Sequence, residues 1–321
     1  MACSIDFIDK SAPAADASEL YSVLTCLADA SSRISHTLRG PIFAGETSAD
    51  PSGSGQRMDS FADDVLLSAL RSCPFVRTVV SEEHDEPVIL HEANGQTAYD
   101  VAIDPLDGTS TLGSNSAVGT IFALFHTGDI ISAVDSLQYK QMAAAGYVIY
   151  GPATLLVCRA GVAVHSSVLD HEANRFVRSP GAITIPHRGN IYSVNEGHSG
   201  CWSDAMNQLI NLYKRTDVTR GTPYNTRYSG CLVADFHRIL GRGGIFIYPR
   251  TKAYPNGRLR YLYEAAPLSY ICEGASGLAT DGAQPISSKT VSRIHETTAL
   301  FIGSSDLVNE ATALMRGEQS K

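Results

Sequence analysis

The stretch AYDVAI (98–103) followed by DPLDGTS (104–110) anchors the reading of the whole chain. The first six residues are β-rich and read as a strand. The next seven place Asp104 and Asp107 around Pro105 and Leu106, with Gly108, Thr109 and Ser110 behind them. Pro restrains a backbone and Gly permits a tight reversal. The seven therefore read as a turn in which Asp104, Asp107 and the Leu106 carbonyl face one point. The amides of Gly108, Thr109 and Ser110, with two hydroxyls, then offer a nest for a phosphate. A second acidic turn, Ser81-Glu82-Glu83, follows the apolar run VRTVV (76–80). Carboxylates at strand C-termini lie where α/β proteins gather their ligands. Hard oxygen ligands suit Mg2+ or Mn2+ rather than zinc. The 10 histidines carry no HxxxH or HExxH spacing. An EF-hand is excluded, because the twelfth position counted from Asp104 is Asn115 rather than Glu. Taken alone, each acidic stretch is more often an ordinary turn than a site.

Outward from this stretch, helices and strands alternate. Leu20, Leu24, Leu27, Ile34 and Leu38 fall on one face of a helix that Gly40-Pro41 ends. GETSADPSGSGQ (45–56) reads as a loop, and a second helix over 60–70 turns Phe61, Val65, Leu66, Ala69 and Leu70 inward. Strands are expected at 76–81, 88–91, 98–103, 117–125, 155–157 and 162–169. The uncharged run QMAAAGYVIYGPATLLVC (141–158) is broken by Gly146 and by Gly151-Pro152, so two buried strands joined by a turn fit better than a membrane span. RSPGAITIPHRGN (178–190) is the best boundary, dividing a half at 1–190 from one at 191–321. Beyond it strands at 191–194, 244–248 and 299–303 alternate with helices near 204–214, 231–240, 266–276 and 305–316. This is the pattern of an α/β protein whose sheets are covered by helices.

The chain has 321 residues, with Lys+Arg 25 against Asp+Glu 33 and a net charge of −8. No basic excess exists to drive binding to nucleic acid or an anionic membrane. The 7 cysteines form no CxxC pair and are odd in number, which fits reduced thiols of an intracellular protein. Asp6 and Asp9 stand where a signal peptide needs an apolar stretch.

SEE (81–83), DPLDGTS and VGTIF (118–122) together resemble the sugar-bisphosphatase family of fructose-1,6- and sedoheptulose-1,7-bisphosphatases, within the wider inositol-monophosphatase-like superfamily. AAAGYVIYGPATLLV (143–157), IYSVNEGH (191–198), TRYSGCLVADFHRIL (226–240), GGIFIYP (243–249) and GRLRYLYEAAPLSYICEGASGLATDG (257–282) extend the resemblance in the family's order. It implies a layered α/β/α/β/α sandwich and Mg-dependent hydrolysis of the 1-phosphate of a ketose bisphosphate. It also implies two or three Mg2+ per site, for which Mn2+ can substitute. The metal ligands it implies are Glu82, Asp104, the Leu106 carbonyl, Asp107 and Glu264. Glu83 and Asp59 resemble the pair that orients and deprotonates the attacking water, although Asp59 also reads as the N-cap of the helix at 60–70.

The resemblance places Asn195, His198, Tyr228, Tyr248 and Arg258 on the sugar and its distal phosphate, beside Asp107, Gly108, Thr109 and Ser110. Arg227 resembles an arginine inserted into the neighbouring subunit's site, which implies a homodimer or homotetramer. The first helix lacks the family's AMP-binding pattern, so AMP inhibition is not expected. EAAPL (264–268) is closer to the sedoheptulose enzymes, whereas NEGH and RYSG are closer to the fructose enzymes. The balance leans to sedoheptulose 1,7-bisphosphate, with fructose 1,6-bisphosphate, or both, as the alternative. A family Asp six residues before Asp59 falls on Gly53, with Asp50 as its replacement. A reading of another class, a catalytically silent sugar-phosphate sensor, is weakened by the full carboxylate set. The chain ends Gln-Ser-Lys, one residue short of the Ser-Lys-Leu address. The cytosol is the expected location, and a peroxisome-like organelle becomes so if a Leu follows Lys321.

Overall fold

The computed structural model describes residues 14–40, 51–92, 98–128, 137–138, 141–217, 221 and 223–319. Asp50 lies outside them.

The first half forms an eight-stranded sheet. Its strands are β1 (Val76–Ser81), β2 (Val88–Ile89), β3 (Tyr99–Asp107), β4 (Val118–His126), β5 (Met142–Tyr150), β6 (Thr154–Ala160), β7 (Val164–Asp170) and β8 (Arg175–Arg178). They lie in the order β2-β1-β3-β4-β5-β6-β7-β8. Only β1 and β3 run parallel, with Val79 opposite Val101; the other neighbours are antiparallel. The uncharged run at 141–158 is the β5–β6 hairpin, closed where Tyr150 meets Thr154.

The second half forms a five-stranded sheet of β9 (Ile191–Ser193), β10 (Asn225–Thr226), β11 (Ile245–Tyr248), β12 (Leu278–Thr280) and β13 (Leu300–Gly303), in the order β10-β9-β11-β13-β12.

Helices α1 (Ala14–Leu38) and α2 (Pro51–Arg71) cover the outer face of the large sheet, burying Leu24, Leu27, Ile34, Val65, Leu66 and Leu70 against Val101, Ile103 and Leu124. Its other face, with Ala102, Ile121 and Ala123, meets α4 (Leu232–Arg242) and α5 (Ala266–Gly274), which in turn pack on Phe246, Leu300 and Ile302 of the small sheet. Helices α3 (Asp204–Lys214) and α6 (Ser305–Gln319) close the far side on Ile245, Ile247 and Phe301. The result is the α/β/α/β/α sandwich. Each outer helix presents one apolar face, whereas the central layer is apolar toward both sheets. Among the described residues no helix is long and apolar enough to cross a membrane.

Two local expectations are corrected. Residues 51–56 are not loop but the first turns of α2. Pro51 sits at the helix start, where its missing N–H costs nothing, and buried Met58 carries the apolar stripe one turn further N-terminal. Asp59 therefore lies inside α2 and is no N-cap. Of the turn expected at 104–110, the first four residues are instead the end of β3, which runs to Asp107 with a register shift between Asp104 and Asp107. Pro105 cannot donate to a ladder, and the bulge accommodates it. The Leu106 N–H turns to Asp104 Oδ1 at 3.1 Å, and Thr120 Oγ1 donates to the Pro105 carbonyl at 2.8 Å.

Candidate active site

The bulge aims both aspartates of β3 into one space. Ligand atoms of Asp104, Asp107 and Glu264 all lie within 4.8 Å of one another. Glu264 comes from a single π-helical turn, Tyr261–Ala265, that leads into α5, and its carboxylate accepts the Arg260 N–H. Asp107 is held from the opposite side by the N-terminus of α4: the Val233 N–H donates to Oδ2 at 2.7 Å and the Cys231 thiol at 3.1 Å. Gly108, at φ +85°, makes this approach feasible, since a Cβ there would stand 2.6 Å from Cys231 Cβ. Glu82 sits just past β1, its N–H bonded to the Ile103 carbonyl at 3.1 Å and its carboxylate 3.6 Å from Arg260 Nε. Thus the ends of β1 and β3, the π-turn before α5 and the start of α4 converge.

Asp59 reaches the same space from α2, accepting a hydrogen bond from the Thr109 side chain, while Glu83 stands exposed at the rim. Burial, and then the Glu83 charge, push Asp59 up to about 7. Burial raises Asp104 well above the carboxylate range, reinforced by Glu82, Asp107, Glu264 and Asp59. Glu264 is raised in the same direction by burial and then by Glu82. Glu82 and Glu83 are raised by burial too, with Arg260 opposing at Glu82. In Asp107 the hydrogen bonds from Val233 and Cys231 work against burial. Carboxylates this crowded, with Arg260 beside Glu82, carry an unbalanced negative charge. Their all-oxygen donor set fits divalent cations of the hard class.

A pH dependence follows. These carboxyls hold protons in the metal-free native state to higher pH than in the unfolded chain, so the stability they contribute is present at low pH and lost as pH rises. The loss runs from the ordinary carboxylate range through about 7 for Asp59. Metal binding must displace those protons, so the gap between melting temperatures with Mg2+ and with chelator should widen from about pH 5.5 to about pH 8. A gap independent of pH would count against this electrostatic picture.

Across Tyr228 from the cluster lies a cavity of about 250 Å3 lined by Asn195, His198, Tyr248, Tyr254 and Arg258 among others, and by none of the carboxylates. Arg258 stacks over the Tyr254 ring at 4.7 Å. Asn195 caps the short 3-10 turn Glu196–Cys201 and accepts the Gly197 N–H at 3.2 Å. Tyr228 bridges the two regions: it hydrogen-bonds Asn195 and feels the charge of Asp107. Arg227 is exposed and not part of this cavity lining; its guanidinium donates to the Thr226 carbonyl at 2.7 Å. Gly108 precedes, and Thr109 and Ser110 open, a short 3-10 helix, Thr109–Ser114, at the cluster's edge. A cavity of about 290 Å3 between Arg39, Asn115 and Tyr150 contains none of the carboxylates.

Sequence reasoning missed Arg260 as the cation beside Glu82, and Cys231 with Val233 as the grip on Asp107. Arg260 stood four residues before Glu264 within the quoted RLRYLYE and could have been found there. The α4 amides carry no side-chain signal.

A family model described as the fructose-1-6-bisphosphatase N-terminal domain matches residues 4–180, and the C-terminal-domain model matches 185–316. A class 1 fructose-1,6-bisphosphatase of Chlorobium phaeobacteroides (strain BS1) is 41% identical over 269 residues, covering 82% of this chain and 80% of the relative. One from Synechococcus sp. (strain JA-3-3Ab) is 39% identical over 266 residues, covering 82% and 79%. The crystal structure of Leishmania major fructose-1,6-bisphosphatase in holo form superposes with a TM-score of 0.84 at 31% identity, covering 92% of this chain and 94% of that one. The chain belongs to the fructose-1,6-bisphosphatase family of metal-dependent phosphoric monoester hydrolases that act on sugar bisphosphates.

Proposed function

We propose that the enzyme hydrolyses the 1-phosphate of fructose 1,6-bisphosphate with Mg2+ as its metal. The observation that carries this reading is the juxtaposition of two unlike regions: a carboxylate cluster within 4.8 Å, and beside it the cavity bearing Arg258, Asn195 and Tyr248. A substrate with a phosphate at each end of a sugar suits such a pair. Glu82, Asp104, the Leu106 carbonyl, Asp107 and Glu264 would hold the ions, which neutralise the 1-phosphate and stabilise the leaving oxygen. Glu83 and Asp59 orient the attacking water. As its oxygen bonds to phosphorus and the C1–O–P link breaks at the P–O bond, its proton passes to this pair and the sugar oxygen regains one. In the metal-free protein burial and the Glu83 charge push Asp59 up to about 7, so a carboxyl stands there that readily accepts a proton. Thr109 holds Asp59, while the Gly108 and Ser110 amides face the phosphate. Tyr228, Asn195, His198, Tyr248 and Arg258 position the sugar and its distal phosphate.

The choice of sugar departs from the leaning of the sequence, which rested on short stretches such as EAAPL. Support for fructose comes from the two curated relatives named above, both class 1 fructose-1,6-bisphosphatases matched over about four fifths of the chain. Phosphate release measured side by side should give the higher kcat/KM on fructose 1,6-bisphosphate. A preference for sedoheptulose 1,7-bisphosphate would restore the other assignment, and no turnover of either would favour a silent sensor.

Exposed Arg227 is proposed to reach the distal phosphate in a second copy's site, which makes the enzyme at least a homodimer. Loss of such a charge-assisted contact should weaken bisphosphate binding by about 10- to 150-fold, roughly 1.5–3 kcal/mol, because the distal phosphate takes no part in bond breaking. Arg227→Ala should leave a substrate without the distal phosphate nearly unaffected. Equal KM values for variant and wild type on the bisphosphate would refute the contact.

A further inference from the structure

A buried carboxylate one helical turn beyond Asp59 has no place in the machinery above. Asp63 is 4% exposed on α2, and the i,i+4 spacing puts it on the same face as Asp59. It accepts two hydrogen bonds from the residues on either side of Glu82-Glu83. Ser81 Oγ donates to Oδ1 at 2.6 Å, and His84 Nε2 meets Oδ2 at 2.7 Å. A carboxylate only accepts, so Nε2 carries the proton. Ser81 Oγ in turn accepts the Glu83 N–H at 3.3 Å, which leaves its own hydrogen for Asp63. From the far side His295 Nε2 lies 3.1 Å from the His84 carbonyl, and its Nδ1 lies 2.6 Å from the Tyr263 hydroxyl. A carbonyl accepts, so His295 donates through Nε2 and accepts from Tyr263 through Nδ1. Tyr263 immediately precedes Glu264. One polar chain therefore links α2, the turn after β1 and the π-turn before α5, the three segments that carry Asp59, Glu82-Glu83 and Glu264.

We infer that Asp63 is a positioning residue, which with His84 and Ser81 clamps α2 to the Glu82-Glu83 turn and so fixes Asp59 relative to Glu83. The inference rests on the reading of Asp59 and Glu83 as the pair that handles the water. Glu82 has its own anchor in the Ile103 carbonyl, so the clamp bears chiefly on Glu83. Misplacement of a catalytic group by about 1 Å can cost on the order of 10²-fold in rate.

The test is steady-state kinetics at saturating Mg2+, with calorimetric Mg2+ titration, on Asp63→Ala, His84→Ala, His84→Gln and Glu83→Gln. Asp63→Ala should lower kcat by about 10- to 100-fold while KM and Mg2+ affinity stay within about threefold. His84→Ala should lose kcat in the same direction, and His84→Gln, whose amide N–H can still donate, should recover most of it. In a Glu83→Gln background Asp63→Ala should add less than about threefold, because the group it positions is already disabled. Wild-type kcat in both Asp63→Ala and His84→Ala overturns the inference. So do equal losses in the two His84 variants, or losses that multiply fully in the double variant, since those mark a structural role alone. If Asp63→Ala fails to fold, the His84 pair decides, because that side chain is 40% exposed and its replacement leaves the core intact. Full activity in Glu83→Gln sinks the underlying reading of the water-handling pair instead, which keeps the two failures apart.

Discussion

Asp104→Asn should abolish turnover and erase the response to Mg2+, while leaving the metal-free protein more stable than the wild type. Both halves come from one environment. Asp104 is 4% exposed and feels the charges of Glu82, Asp107, Glu264 and Asp59. Without cations that crowding makes an ionised Asp104 unfavourable and drives it to take up a proton on folding, a cost that Asn avoids. The local geometry survives, because an Asn side-chain oxygen can still accept the Leu106 N–H that Asp104 Oδ1 accepts at 3.1 Å. The substitution removes a charge that a bound cation would meet beside Asp107 and Glu264. Several kcal/mol of transition-state stabilisation by metal would go with it, on the order of 10³-fold or more in rate. Thermal melts with chelator and with Mg2+, beside a phosphate-release assay, check this. The variant should melt higher than wild type in chelator and show little further gain from Mg2+. Near-normal activity, or an undiminished Mg2+ shift, would show that Asp104 is no ligand. Such an exchange of stability for activity is what a site built from mutually repelling groups entails.

How far the chain could be read before its fold was known differs from residue to residue, for physical reasons. DPLDGTS announced its carboxylates, because Asp, Pro and Gly at close spacing restrict the backbone to few courses. Its secondary structure was misjudged all the same: Pro105 spoke for a turn, but Val118–His126 pairs along β3 to Asp107 and absorbs the proline as a bulge. The layers were legible from alternating apolar runs. The start of α2 was not, since Pro51, Ser52, Gly53, Ser54 and Gly55 have poor helix propensity and tertiary packing through Met58 overrides it. That error turned Asp59 into a helix cap. Arg260, Asp63 and Cys231 escaped notice because their partners, Glu82, Ser81 and Asp107, lie 178, 18 and 124 residues away. Such contacts leave no local periodicity.

Glu83→Gln should slow turnover by about 10²–10⁴-fold, the usual cost of removing a general base, with Mg2+ affinity largely intact. The substitution is nearly isosteric. It keeps a side-chain acceptor and leaves the backbone alone, so the Glu83 N–H can still reach Ser81 Oγ as it does at 3.3 Å. What it removes is a site that can take a proton. Glu83 stands exposed at the rim, whereas Glu82 lies deeper, beside Arg260 at 3.6 Å. That difference in depth is the structural basis for assigning proton transfer to Glu83 and metal ligation to Glu82. Calorimetric Mg2+ titration of Glu83→Gln and Asp104→Asn in parallel separates the two roles. The first should bind the metal and turn over slowly; the second should fail at both. Equal loss of Mg2+ affinity in the two variants would mean that Glu83 is itself a ligand. Full activity in Glu83→Gln would overturn Glu83 as half of the water-handling pair, and the Asp59 carboxyl would then act without the Glu83 charge that helps to raise it.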